Sequence, residues 1–376
     1  MRSALKSPPA GAAVLIAAAS GRALAAAARR SGYRPLVADF YDDEDTRGLC
    51  PANYLAGDPR GGFAAERLIA ALGHLAEAAA PFGLVYGGGF EDRVGLLKSI
   101  AQRWRIYGNP PEVVRRAKDP AALAELCRSI GVPHPDISLS PPGNSKGWLV
   151  KSVGGAGGGH VAPAAAWRAS GEPVYFQCVA PGFPVSILSL CNGVDARPLG
   201  ASRQWTAPAP GEPFRYGGCV RPANLPPHVE NQLIRAAGSL AVALGLVGLN
   251  SFDFLVDGES FALIEVNPRP GGTLDIFEDR RGLLFRAHID ACRGHLADET
   301  LEFPGAAAAA IAYAPRDIAS MPSLDWPNWA ADRQKPRTAL DLCDPLCTVK
   351  ACSAEPSSAL ELVEQRTALL LKAIDQ

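Results

Sequence analysis

The stretch Asn250-Ser-Phe-Asp253-Phe-Leu-Val-Asp257-Gly258-Glu-Ser-Phe-Ala-Leu-Ile-Glu265-Val-Asn267-Pro268-Arg269-Pro270-Gly271-Gly272 reads as two strands, 251–256 and 261–266. They are joined at Asp257-Gly258, a dipeptide that favours a tight hairpin turn. Pairing across that turn brings Asp253 opposite Glu265. Glu265 and Asn267 are two apart, so their side chains leave one face of the strand together, with apolar Leu263, Ile264 and Val266 in clean alternation around them. Asp253, Glu265 and Asn267 then supply three oxygen-bearing side chains at one spot. Such a set suits Mg2+, which takes oxygen ligands and keeps positions for water and phosphate oxygens. Pro268 and Pro270 fix the exit loop and turn Arg269 back toward the same spot, where it can hold an anion. The plain alternative is an exposed polar hairpin, and the interleaved apolar residues weigh against it.

Upstream lies Lys151-Ser-Val-Gly154-Gly155-Ala-Gly157-Gly158-Gly159-His160. No Gly-Lys-Ser/Thr closes it, so it is not a Walker A loop, and His160 takes the place where Gly-x-Gly-x-x-Gly needs its last glycine. The loop links two strand-like segments, with Lys151 inside the first. A flexible hairpin whose backbone N–H groups close over phosphates is the natural reading, with Lys151 as a point charge. The competing reading is an ordinary mobile surface loop.

Toward the N-terminus, apolar runs and helical patterns alternate: strand 13–18, helix 21–31, strand 35–40, helix 63–79, strand 83–86. This predicts a small open α/β domain with a parallel sheet. Gly87-Gly88-Gly89 follows the last strand directly, either as a ligand wall beyond the strand ends or as a tight turn. Glu91 is expected to cap the next helix or meet a substrate amine. Arg2 and Lys6 before Ala10–Ala19 resemble a secretory leader, but Pro8, Pro9 and the immediate run into a patterned helix favour a buried strand. A linker at 107–112 leads to helices from Pro111 and over 120–130. Strands are expected at 148–153, 174–179 and 185–190, a helix at 227–244, strands at 308–313 and 346–351, and a closing helix at 357–374.

Composition excludes several classes. The 376 residues carry 37 Lys+Arg against 38 Asp+Glu, so no basic footprint for nucleic acid exists. No run of about 20 strongly apolar residues is present to span a membrane. Nine cysteines, an odd number without any Cys-x-x-Cys, fit reduced thiols in a cytoplasm better than a disulfide framework. Cys343, Cys347 and Cys352 cluster, but their spacing is wrong for zinc and no His is near.

Taken together, Lys118, Lys151 with its glycine loop, Gln177-Cys178-Val179, Asp253 and Glu265-Val-Asn267-Pro-Arg resemble the ATP-grasp superfamily of carboxylate–amine ligases over about residues 110–300. The resemblance implies an ATP-grasp fold, two α+β subdomains clamping ATP, preceded by the small open parallel-sheet α/β domain. It divides the chain into 1–108, 109–175 with the glycine lid, 176–300 with the metal site, and a C-terminal extension, 301–376. It also implies Lys118 and Lys151 on the α- and β-phosphates, with Gly154, Gly155, Gly157 and Gly158 closing over the β/γ end. Gln177 and the backbone of Cys178 and Val179 would line the adenine edge, and Asp253, Glu265 and Asn267 would hold Mg2+. Gly182-Phe-Pro184 stands where many members have the acid that holds the ribose, which leaves that contact unassigned. The implied reaction phosphorylates a carboxylate and passes the acylphosphate to an amine. Arg269 would stabilise the acylphosphate and tetrahedral intermediate, with Arg203, on a strand facing the cleft, second; a salt bridge is the competing reading for Arg203. The partners are then a small-molecule carboxylate and amine, with a homodimer left open.

Gly88-Gly-Phe-Glu91, Gly108-Asn-Pro-Pro, Lys118-Asp and Cys347-Thr-Val-Lys-Ala further resemble small ATP-grasp ligases of one-carbon cofactor synthesis of the methanofuran type. That suggests glutamate or a glutamyl chain as the acid. Three alternatives remain: a catalytically silent nucleotide-binding scaffold or sensor, a dinucleotide-dependent oxidoreductase, and a carboxylase using bicarbonate. Ala19-Ser-Gly21-Arg lacks the glycine spacing the second needs, and no biotin or purine signature supports the third.

Overall fold

The computed structural model describes residues 8–169, 171–279, 281–296 and 298–374. Arg2 and Lys6, which lend the N-terminus its leader-like charge, lie outside them. The apolar segment that follows them forms β1 (Ala13–Ala17), the middle strand of a parallel sheet.

That sheet adds β2 (Arg34–Asp39), β3 (Asn53–Leu55), β6 (Leu84–Tyr86) and β7 (Ile106–Tyr107) in the order β3-β2-β1-β6-β7; a short hairpin, β4 (Gly57–Asp58) with β5 (Gly62–Phe63), stands beside it. The helices are α1 (Arg22–Arg30), α2 (Glu44–Leu49), α3 (Ala65–Ala79) and α4 (Val94–Ala101). Every residue of β1 is buried because both faces are covered, hence the unbroken apolar run rather than an alternating one. Ala13 and Leu15 pack toward Leu68 and Leu72 of α3, whereas Val14 and Ile16 share a core with Leu24 of α1 and with Leu284 and Phe285. Helix α2 has no counterpart in the sequence expectations, and α4 is the short helix expected after Glu91.

Helices α5 (Pro111–Lys118) and α6 (Pro120–Ile130) meet at Asp119, whose carboxylate accepts from the N–H of Ala122 and caps α6. A small antiparallel sheet follows, β10-β9-β11-β8, from β8 (Ile137–Ser138), β9 (Trp148–Ser152), β10 (Val161–Pro163) and β11 (Val174–Cys178). Its outer face buries Val150 and Phe176 against Ala164 and Trp167. By strand alternation Lys151, Tyr175 and Gln177 point the other way.

The third sheet has eight strands. β12 (Phe183–Asn192), β13 (Ala196–Thr206), β14 (Tyr216–Arg221), β15 (Val247–Asp257), β16 (Ser260–Asn267), β17 (Ala306–Tyr313), β18 (Ala330–Ala331) and β19 (Pro345–Ser353) run in the order β16-β15-β12-β13-β14-β17-β19-β18. Val185, Ile187, Phe252 and Phe254 face α7 (Pro227–Leu244), while Leu188, Leu190 and Leu249 face the N-terminal unit and α8 (Leu284–Ala291). Residues expected as a C-terminal extension supply β17–β19 to this same sheet and α9 (Pro356–Ile374) to its cover. The alanine run 306–310 is a strand despite the helix preference of alanine. It lies between β14 and β19, and the missing Cβ of Gly218 on β14 leaves room for the carbonyl of Ala309.

Candidate active site

The hairpin of β15 and β16 turns at Gly258, whose φ of +61° suits glycine. Asp253 pairs with Glu265 and Ser251 with Asn267, but the register shifts between Asp253 and Phe254, which pairs with Leu263. Ile264 is thus an extra residue, a β-bulge. This corrects the clean alternation expected of the strand: a regular strand would put Leu263 and Glu265 on one face. The bulge sends Leu263 into the core with Phe252 and Phe254 and leaves Glu265 facing the cleft beside Asp253.

Four further side chains complete the cluster. The Nδ2 group of Asn267 donates to Asp253 Oδ2 at 2.7 Å, and Ser186 Oγ of β12 donates to Asp253 Oδ1 at 2.6 Å. Lys118, the last residue of α5, donates to Glu265 Oε1 at 2.5 Å and to Asn267 Oδ1 at 3.3 Å. A cation at a helix C-terminus is favoured by the backbone carbonyls there. Burial and then the Glu265 carboxylate push Asp253 up to about 6. Burial acts the same way on Glu265, but the charges of Lys118, His160 and Lys151 outweigh it and hold that acid below its ordinary range. Lys151 is buried on β9, where desolvation lowers its pKa, Glu265 opposes that lowering, and Lys118 adds to it.

The glycine loop is folded down over these groups. Gly154, Gly157 and Gly158 have φ of +78°, +73° and +77°. A Cβ on Gly158 would stand 1.9 Å from the carbonyl oxygen of Phe214, and one on Gly154 would stand 2.7 Å from that of Glu91. The N–H of Tyr216 donates to Gly157 O at 2.9 Å, tying the loop to β14. Beneath the loop, Lys118, Lys151, His160, Tyr175 and Glu265 line a space of about 30 Å³. With the loop in this position that is room for about one water molecule.

Arg269 is turned back as expected, its Nε donating to Glu91 Oε1 at 2.6 Å and its Nη2 to Asn267 Oδ1 at 3.3 Å. Glu91 neither caps α4, which has no side-chain cap, nor stands free for an amine. Its second oxygen accepts from the N–H groups of Gly89 and Phe90. Burial alone would raise its pKa, but Arg269 and then Lys118 dominate and hold it down to about 2.

At the other end of the cleft Gln177 is 2% exposed, and its Nε2 has no hydrogen-bond partner. The N–H groups of Cys178 and Val179 are already spent on the carbonyls of Asp136 and Gly147. Any backbone contact from these two residues to a ligand therefore falls to their carbonyls.

Arg203 is not where it was expected. It sits on β13 opposite Val185, on the face away from Asp253, and its guanidinium lies 4.5 Å from the centre of the Phe183 ring. Strand alternation explains this, since Ser202 pairs with Ser186 on the cleft face and Gln204 shares that face. Ser186 and Tyr216 are neighbours absent from the sequence reading, whereas Glu91 and His160 stand in it without their places in the cluster. Each reaches the cluster through a contact with residues far away in the chain, although Glu91 carried a signal in the glycines before it.

Among the described residues no three His, Cys, Asp or Glu side chains converge on one point. Two carboxylates and one amide form the donor set, which leaves most of an octahedral sphere to water and phosphate oxygens and so fits Mg2+.

Residues 118–273 match the family model of the ATP-grasp domain. That span is an ATP-grasp domain. The biotin carboxylase domain of the Hydrogenobacter thermophilus 2-oxoglutarate carboxylase, solved with MgADP, ADP and bicarbonate, superposes with a TM-score of 0.72 at 13% identity. The alignment covers 95% of this chain and 90% of that one. The N5-carboxyaminoimidazole ribonucleotide synthetase of Thermotoga maritima gives a TM-score of 0.65 at 15% identity, over 96% and 98% of the two chains. At such identities the likeness is one of fold. The large chain of carbamoyl phosphate synthase from Helicobacter pylori is 35% identical over 65 residues, 17% of this chain and only 6% of that much longer protein.

Proposed function

We propose that the ATP-grasp domain binds ATP and Mg2+ and that the protein is an ADP-forming ligase joining a small-molecule carboxylate to an amine through an acylphosphate. The observation that carries this reading is the cluster itself: Lys118 and Lys151 above Asp253, Glu265 and Asn267, under a glycine loop tied down at Gly157. Phosphoryl transfer of this kind rests on positioning and charge neutralisation rather than on a protein nucleophile.

Lys118 and Lys151 would hold the α- and β-phosphates, with Gly154, Gly155, Gly157 and Gly158 over the β/γ end. Gln177 and the carbonyls of Cys178 and Val179 would meet the adenine, and the orphan Nε2 of Gln177 is the polar group there still short of a partner. Asp253, Glu265 and Asn267 would hold Mg2+, which supplies charge neutralisation of the phosphates when bound. As phosphates arrive, Lys118 would exchange its bond to Glu265 for one to phosphate, freeing that carboxylate. Arg269, aimed by Glu91, would take the charge of the acylphosphate and then of the tetrahedral intermediate. The position of Arg203 supports no catalytic role.

Glutamate or a glutamyl chain in one-carbon cofactor synthesis is the substrate assignment that the Gly88–Glu91, Lys118-Asp and Cys347–Ala351 motifs favour. The division at 108, 175 and 300 follows the three sheets only in part, since the last segment completes the third. A cytoplasmic setting is supported by nine cysteines that all stand free. Among the described residues no helix is long and apolar enough to cross a membrane.

The test is ADP release with ATP·Mg2+ and a panel of acids, glutamate and bicarbonate among them, with and without amines. Release that requires an amino-acid carboxylate and an amine supports the reading. Release with bicarbonate alone would move the protein to the carboxylases, and nucleotide binding with no release under any acid would make it a scaffold or sensor. Glu265→Gln and Lys151→Ala should each nearly abolish ADP release; wild-type turnover in either would refute the assignment.

A further inference from the structure

The lid carries a side chain with no counterpart among the residues assigned above. His160 closes the glycine loop, and its imidazole turns inward to line the same small space as Lys118, Lys151, Tyr175 and Glu265. Its ring lies flat on the backbone of Gly155: a Cβ there would stand 2.3 Å from two ring carbons and 2.7 Å from Nε2. Gly154, Gly157 and Gly158 are glycines because their backbone is left-handed. Gly155 has no positive φ, so its backbone would accept a side chain, and the nearest atoms that a Cβ would meet are all in the ring of His160. The loop is thus shaped around an imidazole held inside the phosphate pocket. A surface loop would leave that ring in water.

We propose that His160 is the lid's own ligand for the β/γ end of the nucleotide, a ring N–H donating to a phosphoryl oxygen when the loop closes over it. This rests on the reading of the cluster as an ATP site. Glycine N–H groups can cradle any anion of the right size. A side chain carried on the moving loop does more: it makes closure depend on phosphates being present beneath it. The ring is held among Lys118, Lys151 and Glu265, the groups that phosphate would join.

The experiment is calorimetric titration of the full chain with ATP·Mg2+ and, separately, with AMP. Hydrogen bonds to charged groups predict that His160→Ala weakens ATP·Mg2+ binding about 10- to 100-fold. AMP, which lacks the β- and γ-phosphates, should bind His160→Ala as it binds wild type. His160→Gln, whose amide can donate from a similar reach, should recover much of the loss. Gly155→Ala should weaken ATP·Mg2+ binding in the wild-type background by displacing the ring, and should cost less in His160→Ala, where no ring stands in the way. Unchanged ATP·Mg2+ affinity in His160→Ala would overturn the proposal, as would an equal loss for ATP·Mg2+ and AMP, which marks a structural residue. A wild-type chain that binds neither nucleotide overturns the ATP site itself, a result distinct from either of these.

Discussion

Glu91 accepts three hydrogen bonds, from Arg269 and two backbone N–H groups. Its side chain is 3% exposed, so the pair is shielded from solvent and from salt. With its pKa drawn from 4.5 down to about 2, the carboxylate stabilises the folded chain by roughly 3 kcal/mol at neutral pH. The sign follows from the lowered value: the stabilisation is complete above about 4.5 and drains away as pH falls toward about 2. Urea titrations at pH 7, 4 and 3 should show the chain losing stability on the acid side, with Glu91→Gln less stable than wild type at pH 7 and the gap narrowed, not closed, at pH 3. A gap that stays constant with pH would mean that Glu91 is not charged in the folded state. The same variant should lower kcat more than it raises the KM for ATP, because it loosens Arg269 and leaves the phosphate groups alone. Asp253, Glu265, Asn267 and Arg269 were legible because one hairpin carries them all, and hairpin pairing can be written down from the sequence. Glu91 lies 178 positions from Arg269, and nothing local marks that partner.

At the scale of elements, the hairpin was legible in position but not in detail. Its turn and the pairing of Asp253 with Glu265 follow from Asp257-Gly258, whereas the bulge at Ile264 does not, since an extra residue looks like any other apolar strand residue. Of β13 the sequence offers only a strand around Arg203, and β14 goes unread, because Gly, Pro and Arg interrupt their apolar pattern; packing against β12 and β17 decides their conformation. The face on which Arg203 falls depends on that register, so its placement could not be better than a guess. The glycine lid was read from composition alone, yet its mooring is tertiary. Gly158 touches Phe214 and combines a positive φ with no room for a Cβ. Gly158→Ala should therefore hold the lid off β14, cutting ADP release at least tenfold and speeding amide hydrogen exchange over residues 154–159. Full activity with unchanged protection there would show that the lid does not need this contact.

Across the whole molecule, three stretches of chain far apart in sequence are pinned by Arg22. Its guanidinium meets both oxygens of Asp275, beyond the β15–β16 hairpin, at 2.5 and 2.6 Å, and both oxygens of Asp332, between β18 and β19, at 3.1 and 2.7 Å. Ser20 and Thr348 donate to Asp332 as well, and Arg333 and Lys335 pair with Asp45 and Asp42 of the N-terminal unit. This knot explains how the N-terminal sheet, the loop after Arg269 and the C-terminal strands keep one geometry around the site. It was invisible in the sequence, where Arg22 reads as an ordinary first-turn residue of a helix. Removing the guanidinium would leave Asp332 without it and Asp275 with only Lys350, 4.0 Å away, and breaking a buried pair of this kind costs about 3–5 kcal/mol. Arg22→Ala should lose stability of that order in urea unfolding. Arg22→Lys should recover little of it, because an ammonium cannot present the planar fork that two carboxylates grip at once. Pairing Arg22→Ala with Asp275→Asn and Asp332→Asn should restore part of the loss by removing the stranded charges. If Arg22→Lys unfolds at the wild-type urea concentration, charge alone suffices there, and the bidentate geometry is not what holds the three segments together.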